Sequence, residues 1–261
     1  MSSLRTFFVM VLLGLSLSVG TVQAQAAEPP NRESVQASLD KIADRKLPEA
    51  DQKALQSVLQ STLTQLNNQR DYEQKLVDLK QQLATAPKLT IENQRELARL
   101  KASSVVPVAQ RFAKESIQQL EQMLTERATQ QSDLQKALGD ANSLIITAQT
   151  RPERAQAEIS ASQTRIQQIN NILKAGKDAG KTLSGEQRDQ LNAELAALNA
   201  LIPLRRQELA GNTQLQDLGN SQHDLLSEKS DRLDQEIQEL QNLINQKRLA
   251  QSQETVTQQS I

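Results

Sequence analysis

Apolar residues recur at spacings of three and four along most of the chain, and this periodicity constrains the fold more than any other feature. It is clearest between Leu55 and Leu83, where leucine also stands at positions 59, 63, 66, 76 and 79. A stripe with this spacing lies on one face of an α-helix and can form the seam of a coiled coil. No segment alternates apolar and polar residues with the β-branched enrichment of a strand. The sequence therefore predicts an all-α fold without a sheet.

The composition indicates narrow helical seams rather than a thick core. Aromatic residues make up 2% of the chain, and tryptophan and cysteine are absent. Strong helix formers dominate, with only 8 glycines and 7 prolines to interrupt them. We therefore expect an elongated array of antiparallel, coiled-coil-like helical hairpins, in which each apolar stripe packs on a neighbour in the same chain or on another copy of it.

The first 26 residues have the anatomy of a secretory signal peptide. Arg5 supplies a positive start, an apolar run extends from Phe7 to Val19, and small residues at Ala24 and Ala26 offer cleavage sites. No later segment is long and apolar enough to cross a bilayer. The sequence predicts a signal peptide over 1–26, a periplasmic helical domain over 27–250 and a disordered polar tail over 251–261.

Prolines and glycines divide this domain into predicted helices. Asn31 is a plausible N-cap for the first. We expect helix ends at Pro87, at the Thr150–Glu153 segment and at Gly211-Asn212, and a local kink at Pro203. Thr150 with Glu153, and Ser184 with Gln187, have the spacing of capping boxes. The glycine-rich segment 175–185 is predicted to be a loop between two helices.

One segment matches a catalytic pattern. Ala175 to Thr182, with Gly180-Lys181 near its end, fits a relaxed phosphate-binding loop. Such a loop normally leaves a buried strand and enters a helix at once, whereas this one follows an amphipathic helix. We interpret it as a hairpin loop. ATP binding that is lost in Lys181→Ala would support the enzyme alternative.

The remaining residues offer no convincing site. His223 is the only histidine and has no cysteine or carboxylate cluster near it in sequence, so we interpret it as a partly exposed packing residue. The 30 basic and 31 acidic residues are interspersed, which argues against a nucleic-acid partner. The acidic residues lie on solvated helix faces. We predict no enzyme activity, no catalytic, cofactor-binding or metal-binding residues, and no small-molecule substrate.

Three blocks of sequence resemble a known family. They are TRPERAQ at 150–156, LNALIPLRRQELAGNTQLQD at 198–217 and LDQEIQELQNLINQKR at 233–248. Together they are similar to the N-terminal periplasmic (MscS porin) domain of large MscS-type mechanosensitive channels of the potassium-efflux KefA/MscK type. The resemblance implies a long helical array that follows a signal peptide. It also implies homo-oligomeric channel subunits as partners and attachment to the inner membrane through a C-terminal pore region. This sequence has no positions that match that region, so no pore, gate or lipid-contact residue is assigned.

Two functions from different classes remain open. The resemblance implies an extracytoplasmic structural or regulatory module of a mechanosensitive channel involved in osmotic stress. The alternative is a free periplasmic coiled-coil adaptor or chaperone-like protein that binds a client through apolar stripes. Membrane association separates the two, since an adaptor would be released with soluble periplasmic contents.

Overall fold

The structure is a computed structural model that describes residues 27–259. The predicted signal peptide lies outside these residues. The described chain forms five α-helices, which confirms the predicted all-α class. They are α1 (Arg32–Asp40), α2 (Glu49–Ala102), α3 (Val108–Arg111), α4 (Ile117–Ala175) and α5 (Gly185–Gln259). A single 3₁₀ turn, Ile42–Arg45, joins α1 to α2.

Three long helices lie side by side, and α5 is the central one. Both α2 and α4 pack along α5, while the backbones of α2 and α4 stay more than 8 Å apart over the described residues. At a rise of 1.5 Å per residue, the 75 residues of α5 span about 110 Å. The molecule is therefore an elongated rod. Among residues 27–259, α4 and α5 form a tight antiparallel hairpin, in agreement with the predicted elongated array of antiparallel helices.

Contacts along the rod define the helix directions. Gln190, near the start of α5, donates a hydrogen bond to Ser61 of α2 at 2.9 Å. Further along α5, Ser221 accepts one from Asn93 of α2 at 3.1 Å. Residue numbers rise together in these pairs, so α2 runs parallel to α5. The α4–α5 turn makes α4 antiparallel to both of them.

Three of the predicted helix ends are wrong. Pro87 lies inside α2, and Pro152 lies inside α4. Thr150 does not form a capping box, because its hydroxyl donates to the carbonyl of Ile146 within the helix. Gly211 and Asn212 lie in the middle of α5. Proline costs helix stability because it removes one amide donor and crowds the preceding turn, and here tertiary packing outweighs that cost.

Other local predictions are confirmed. The side chain of Asn31 accepts hydrogen bonds from the amides of Glu33 and Ser34, and so caps α1. Ser184 and Gln187 exchange the two hydrogen bonds of a capping box, at 2.9 and 3.1 Å. Pro203 lies inside α5, and the local kink expected there stays a prediction.

One end of the rod is closed by α3. An apolar cluster forms there from Val108, Leu120, Leu240, Leu243 and Ile244, and we call it the closed end. Three of its members, Val108, Leu120 and Leu240, are fully buried. The segment that links α2 to α4 thus packs on α5 instead of crossing open solvent.

Polar contacts fix the linking segment at the closed end. The amide of Val108 donates to a carboxylate oxygen of Glu239 at 2.8 Å. The ammonium group of Lys247 donates to the carbonyls of Ala113 and Glu115, at 2.8 and 2.7 Å. These carbonyls belong to a non-helical turn, which would otherwise leave them without a protein donor.

The C-terminal part of α5 extends beyond its predicted limit. The helix continues past Ala250 to Gln259, over residues that the sequence predicted to be disordered. The side chains of 248–259 are exposed. Within residues 27–259, no helix combines the length and hydrophobicity that a membrane span requires.

Candidate functional site

The segment that resembles a phosphate-binding loop is a tight β-hairpin. Gly176 ends α4 with a positive φ of 67°, and two-residue strands, Lys177–Asp178 and Lys181–Thr182, pair across the turn. Both turn residues have positive φ, 46° at Ala179 and 81° at Gly180. The glycines thus serve chain reversal. Among residues 27–259 this hairpin is the only sheet, where the sequence predicted none, and it follows a helix, as the hairpin interpretation requires.

His223 lies on α5 with a side chain that is 38% exposed. Its Nδ1 atom is 3.6 Å from the neighbouring Asp224 carboxylate, which is too long for a hydrogen bond. Residues 27–259 contain no group of three or more histidine and carboxylate side chains that could hold a metal ion. This placement agrees with the interpretation of His223 as a partly exposed packing residue.

Two of the distinctive sequence blocks meet across the α4–α5 interface. The TRPERAQ block of α4 (150–156) lies opposite the middle of α5, which carries the LNALIPLRRQELAGNTQLQD block (198–217). We call this region the waist: residues 147–158 of α4, 203–215 of α5 and 75–87 of α2. Each of the three long helices has its internal proline in this region, at Pro87, Pro152 and Pro203.

A side chain of α5 repairs the hydrogen-bond ladder that Pro152 interrupts. Proline has no amide hydrogen, so the carbonyl four residues earlier, that of Ala148, loses its helical donor. The Nδ2 atom of Asn212 donates to that carbonyl at 2.7 Å. Ala148 is almost fully buried, so water could not easily take this role. Asn212 therefore allows α4 to continue through its proline.

Gly211, next to Asn212, allows α2 to approach α5 closely. A Cβ atom added at Gly211 would lie 2.3 Å from a methyl carbon of Leu83. Leu83 belongs to the buried apolar cluster of the waist, together with Leu79, Leu204 and Leu215. The glycine is thus required by packing and not by backbone conformation.

Arginine–carboxylate pairs surround these contacts. Arg205 of α5 donates to Glu158 of α4 and, at 2.9 Å, to Glu208 one turn away. Arg154 also donates to Glu158, at 2.9 Å. Burial alone would raise the pKa of Glu158, but the hydrogen bonds from Arg154 and Arg205 outweigh it and lower that pKa below its ordinary value. Glu158 is therefore a charged link between α4 and α5 at neutral pH.

A groove opens at the waist between α2 and α4, with α5 at its base. Its volume is about 470 Å³. Leu79, Ala155 and Leu204 give it an apolar part, and charged side chains from all three helices surround them. Arg151 lines this groove, and its buried Nη1 atom has no hydrogen-bond partner among the described residues.

The waist contains no convergent set of nucleophile, base and acid. Two of its carboxylates, Glu158 and Glu208, are held by Arg205 in ion pairs, and the Glu158 pair joins α4 to α5. The three helix ends that the sequence wrongly predicted, at Pro87, at Thr150–Glu153 and at Gly211-Asn212, all lie in the waist. The fold and this site define an elongated helical module, built to hold its shape and to present long surfaces.

The chain belongs to the family described as the mechanosensitive ion channel porin domain, whose model matches residues 38–261. The resemblance inferred from the three sequence blocks is thus confirmed. The matching family is a channel domain and not an enzyme family.

Two curated relatives are similar along almost the whole chain. The mechanosensitive channel MscK of Escherichia coli (strain K12) is 34% identical over 95% of the chain. An uncharacterized MscS family protein of Haemophilus influenzae is 31% identical over 96%. In both cases the chain spans only 22% of the relative's length. No solved structure matches the chain.

Proposed function

We propose that the chain is an extracytoplasmic structural and regulatory module of a mechanosensitive channel that responds to osmotic stress, and that it contains no pore itself. The observation that carries this proposal is the family match over residues 38–261. The similarity to MscK over 95% of the chain supports the same assignment. The leader-like first 26 residues support export to the periplasm.

The architecture supports a mechanical role. Each long helix continues through its proline, so the rod has no break in its middle. Arg165 and Glu194 form a two-point ion pair between α4 and α5 near the hairpin, with N–O distances of 2.6 and 2.9 Å. Arg248 and Glu121 pair near the closed end. A rod that is tied along its length can couple a distant contact to a channel entrance.

Exposed apolar side chains support assembly with other channel subunits. Val77 and Ile91, two heptads apart on α2, are 59% and 48% exposed, and Ile146 on α4 is 59% exposed. Residues separated by fourteen positions lie on nearly the same helix face. We propose that such positions contact neighbouring copies within a homo-oligomeric channel at the inner membrane.

A chimeric channel tests the proposal. The matching region of E. coli MscK would be replaced by residues 38–259 of this chain, and the tension needed for opening would be measured in membrane patches. We expect the chimera to open at a tension close to that of the parent channel, and a chimera that lacks the region to differ. Equal thresholds with and without the region would contradict the regulatory role.

Fractionation tests the alternative of a free adaptor. The full gene product would be followed after osmotic shock of the native cell. Retention with the inner membrane is expected for a channel module. Quantitative release with the soluble periplasmic contents would favour the adaptor.

A further inference from the structure

Residues 103–107, which connect α2 to α3, form an exposed and extended stretch of backbone. We call this stretch the link. All of its residues are exposed to solvent. The backbone is extended at both ends, with φ −83° and ψ 134° at Ser103 and φ −55° and ψ 143° at Pro107. The link is the covalent connection between α1–α2 and the rest of the rod.

The backbone of the link has hydrogen-bonding groups available for another chain. The amide of Ser103 still donates to the carbonyls of Arg99 and Leu100 at the end of α2. The backbone amides and carbonyls of 104–106 form no hydrogen bond with any residue between 27 and 259. An extended backbone with unpaired groups is the form in which one chain adds to another as a strand.

Two apolar side chains of the link remain accessible. Val105 and Val106 are 48% and 50% exposed. Successive side chains of an extended backbone point to opposite sides, so a link that lay flat on the rod would bury one valine and expose the other. Their nearly equal exposure means that the link stands away from the rod and offers both valines to solvent.

Polar contacts hold both ends of the link on α5. On the α2 side, Arg232 donates to the hydroxyl of Ser103 at 3.2 Å and also to the carbonyl of Leu100. On the α3 side, Val108 is completely buried, and its amide donates to Glu239. The link is therefore presented at a fixed place on the rod, between two anchored ends.

We propose that the link is a processing site for an endoprotease whose S1 pocket, which holds the residue before the cut bond, is small and apolar. Such a protease binds its substrate as an extended strand, and a pocket like that of elastase accepts valine. The Val105–Val106 bond is the expected cut, because the ring and the missing N–H of Pro107 make the next bond a poor substrate. Hydrolysis consumes one water and leaves a carboxylate on Val105 and an amino group on Val106. The inference does not depend on the proposed channel.

A cut in the link leaves α1 and α2 attached to the rod by packing alone. Few of the 54 residues of α2 are buried, namely Leu59, Thr62, Leu79, Leu83 and Ala86. A covalent connection keeps a binding segment at a high effective concentration, and cleavage removes that advantage. Processing thus converts α2 from a fixed part of the rod into one that can be released from α5.

Limited digestion of the purified full chain with elastase tests the site, and mass spectrometry maps the first cut. Val77 serves as an internal control, because it is more exposed, at 59%, but lies within α2, where the backbone groups are paired. Three variants are compared with the unmodified chain: Val105→Asp, Val105→Ala and the control Val77→Asp. Circular dichroism checks that each variant keeps the helix content of the unmodified chain.

We expect the first cut at the Val105–Val106 bond, both in the unmodified chain and in Val77→Asp. In Val105→Asp, cleavage of the link should slow at least about tenfold, because a small apolar pocket rejects a charged side chain. Val105→Ala keeps a small apolar side chain and should restore cleavage. A first cut outside the link, or equal rates of link cleavage in all four proteins, would overturn the site.

Two further measurements test the release of α2 and the role of the link in the cell. Gel filtration in increasing urea should separate the two fragments of the cut chain at a concentration where the uncut chain stays folded. Fragments that stay together until the whole rod unfolds would contradict the release. In the native cell, mass spectrometry of the full gene product should detect a fragment that ends at Val105, which the Val105→Asp product should lack. Its absence from both products would refute the processing role.

Discussion

The waist and the closed end hold the three long helices of the rod together in different ways. At the closed end, large apolar side chains such as Leu120 and Leu240 are removed completely from water. At the waist, Gly211 lets α2 approach α5 closely, and Asn212 replaces the hydrogen bond that Pro152 removes. A buried leucine tolerates small shifts of its helix. The Asn212 hydrogen bond and the close approach at Gly211 instead fix the register of α5 against α4 and α2. The closed end therefore contributes mainly to the free energy of unfolding, and the waist fixes the alignment of the three long helices.

The largest effect is expected from an apolar truncation at the closed end. Leu240→Ala removes a side chain that is 0% exposed and leaves a cavity, so we expect a loss of about 2–5 kcal/mol in the free energy of unfolding. Urea unfolding followed by circular dichroism measures it. Leu249→Ala is the control on the same helix, because Leu249 is 64% exposed. Similar losses in the two variants would contradict the assigned core.

A smaller effect is expected where α2 approaches α5. Gly211→Ala forces the added Cβ against Leu83, and overpacking of this kind costs about 1–3 kcal/mol. The better helix propensity of alanine recovers about 1 kcal/mol of that. In a Leu83→Ala background the clash disappears, so the same substitution should become stabilising. Unfolding free energies of the two single variants and the double variant give this change of sign, and its absence would refute the close approach.

The seven-residue spacing of buried positions could have predicted that a helix continues through its proline. On α4, positions seven apart keep one phase across Pro152, and most of their side chains are buried or partly buried. They are Leu120, Arg127, Leu134, Ala141, Ala148, Ala155, Ser162 and Ile169. A helix end at Pro152 would have allowed this phase to shift. Local proline and glycine rules, which predicted a helix end here, do not take this longer signal into account.

Other features could not be predicted from the sequence. The Asn212 side chain reaches a carbonyl 64 residues earlier, and this contact depends on the register between α4 and α5. The parallel direction of α2 and α5 is also absent from the pattern, since an apolar stripe does not specify its partner. Local chemistry was more reliable: the Asn31 cap and the Ser184–Gln187 box were predicted correctly because they depend only on nearby residues.

A double-variant cycle can isolate the polar repair at the waist. Asn212→Ala removes the donor to the Ala148 carbonyl, and we expect it to cost about 1 kcal/mol. In a Pro152→Ala background the helix amide returns and can bond that carbonyl, so the cost should nearly vanish. Thermal or urea unfolding of the four proteins gives the coupling energy. Additive effects would show that Asn212 and Pro152 act independently.

The smallest effect concerns pH, and it compares a carboxylate from each region. Hydrogen bonds from Arg154 and Arg205, which outweigh burial, lower the pKa of Glu158 at the waist. The amide of Val108 lowers the pKa of Glu239 beside the closed end. A carboxyl group with a lowered folded-state pKa stabilises the fold above its unfolded pKa, about 4.3 for glutamate, and loses this contribution as the pH falls through the folded value.

Replacing either carboxylate should therefore lower the Tm at pH 7 and flatten its decline below about pH 4.3. We expect Glu158→Gln to do this more strongly than Glu239→Gln, because Glu158 joins two arginines on two helices. Asp189→Asn is the control of opposite sign: burial and the nearby Glu186 raise the pKa of Asp189, so its charge opposes folding at neutral pH. That penalty disappears as the pH falls through the raised pKa, so Asp189→Asn should raise the Tm only at neutral pH. If all three variants lost stability equally at pH 7, the waist would have no electrostatic advantage over the closed end.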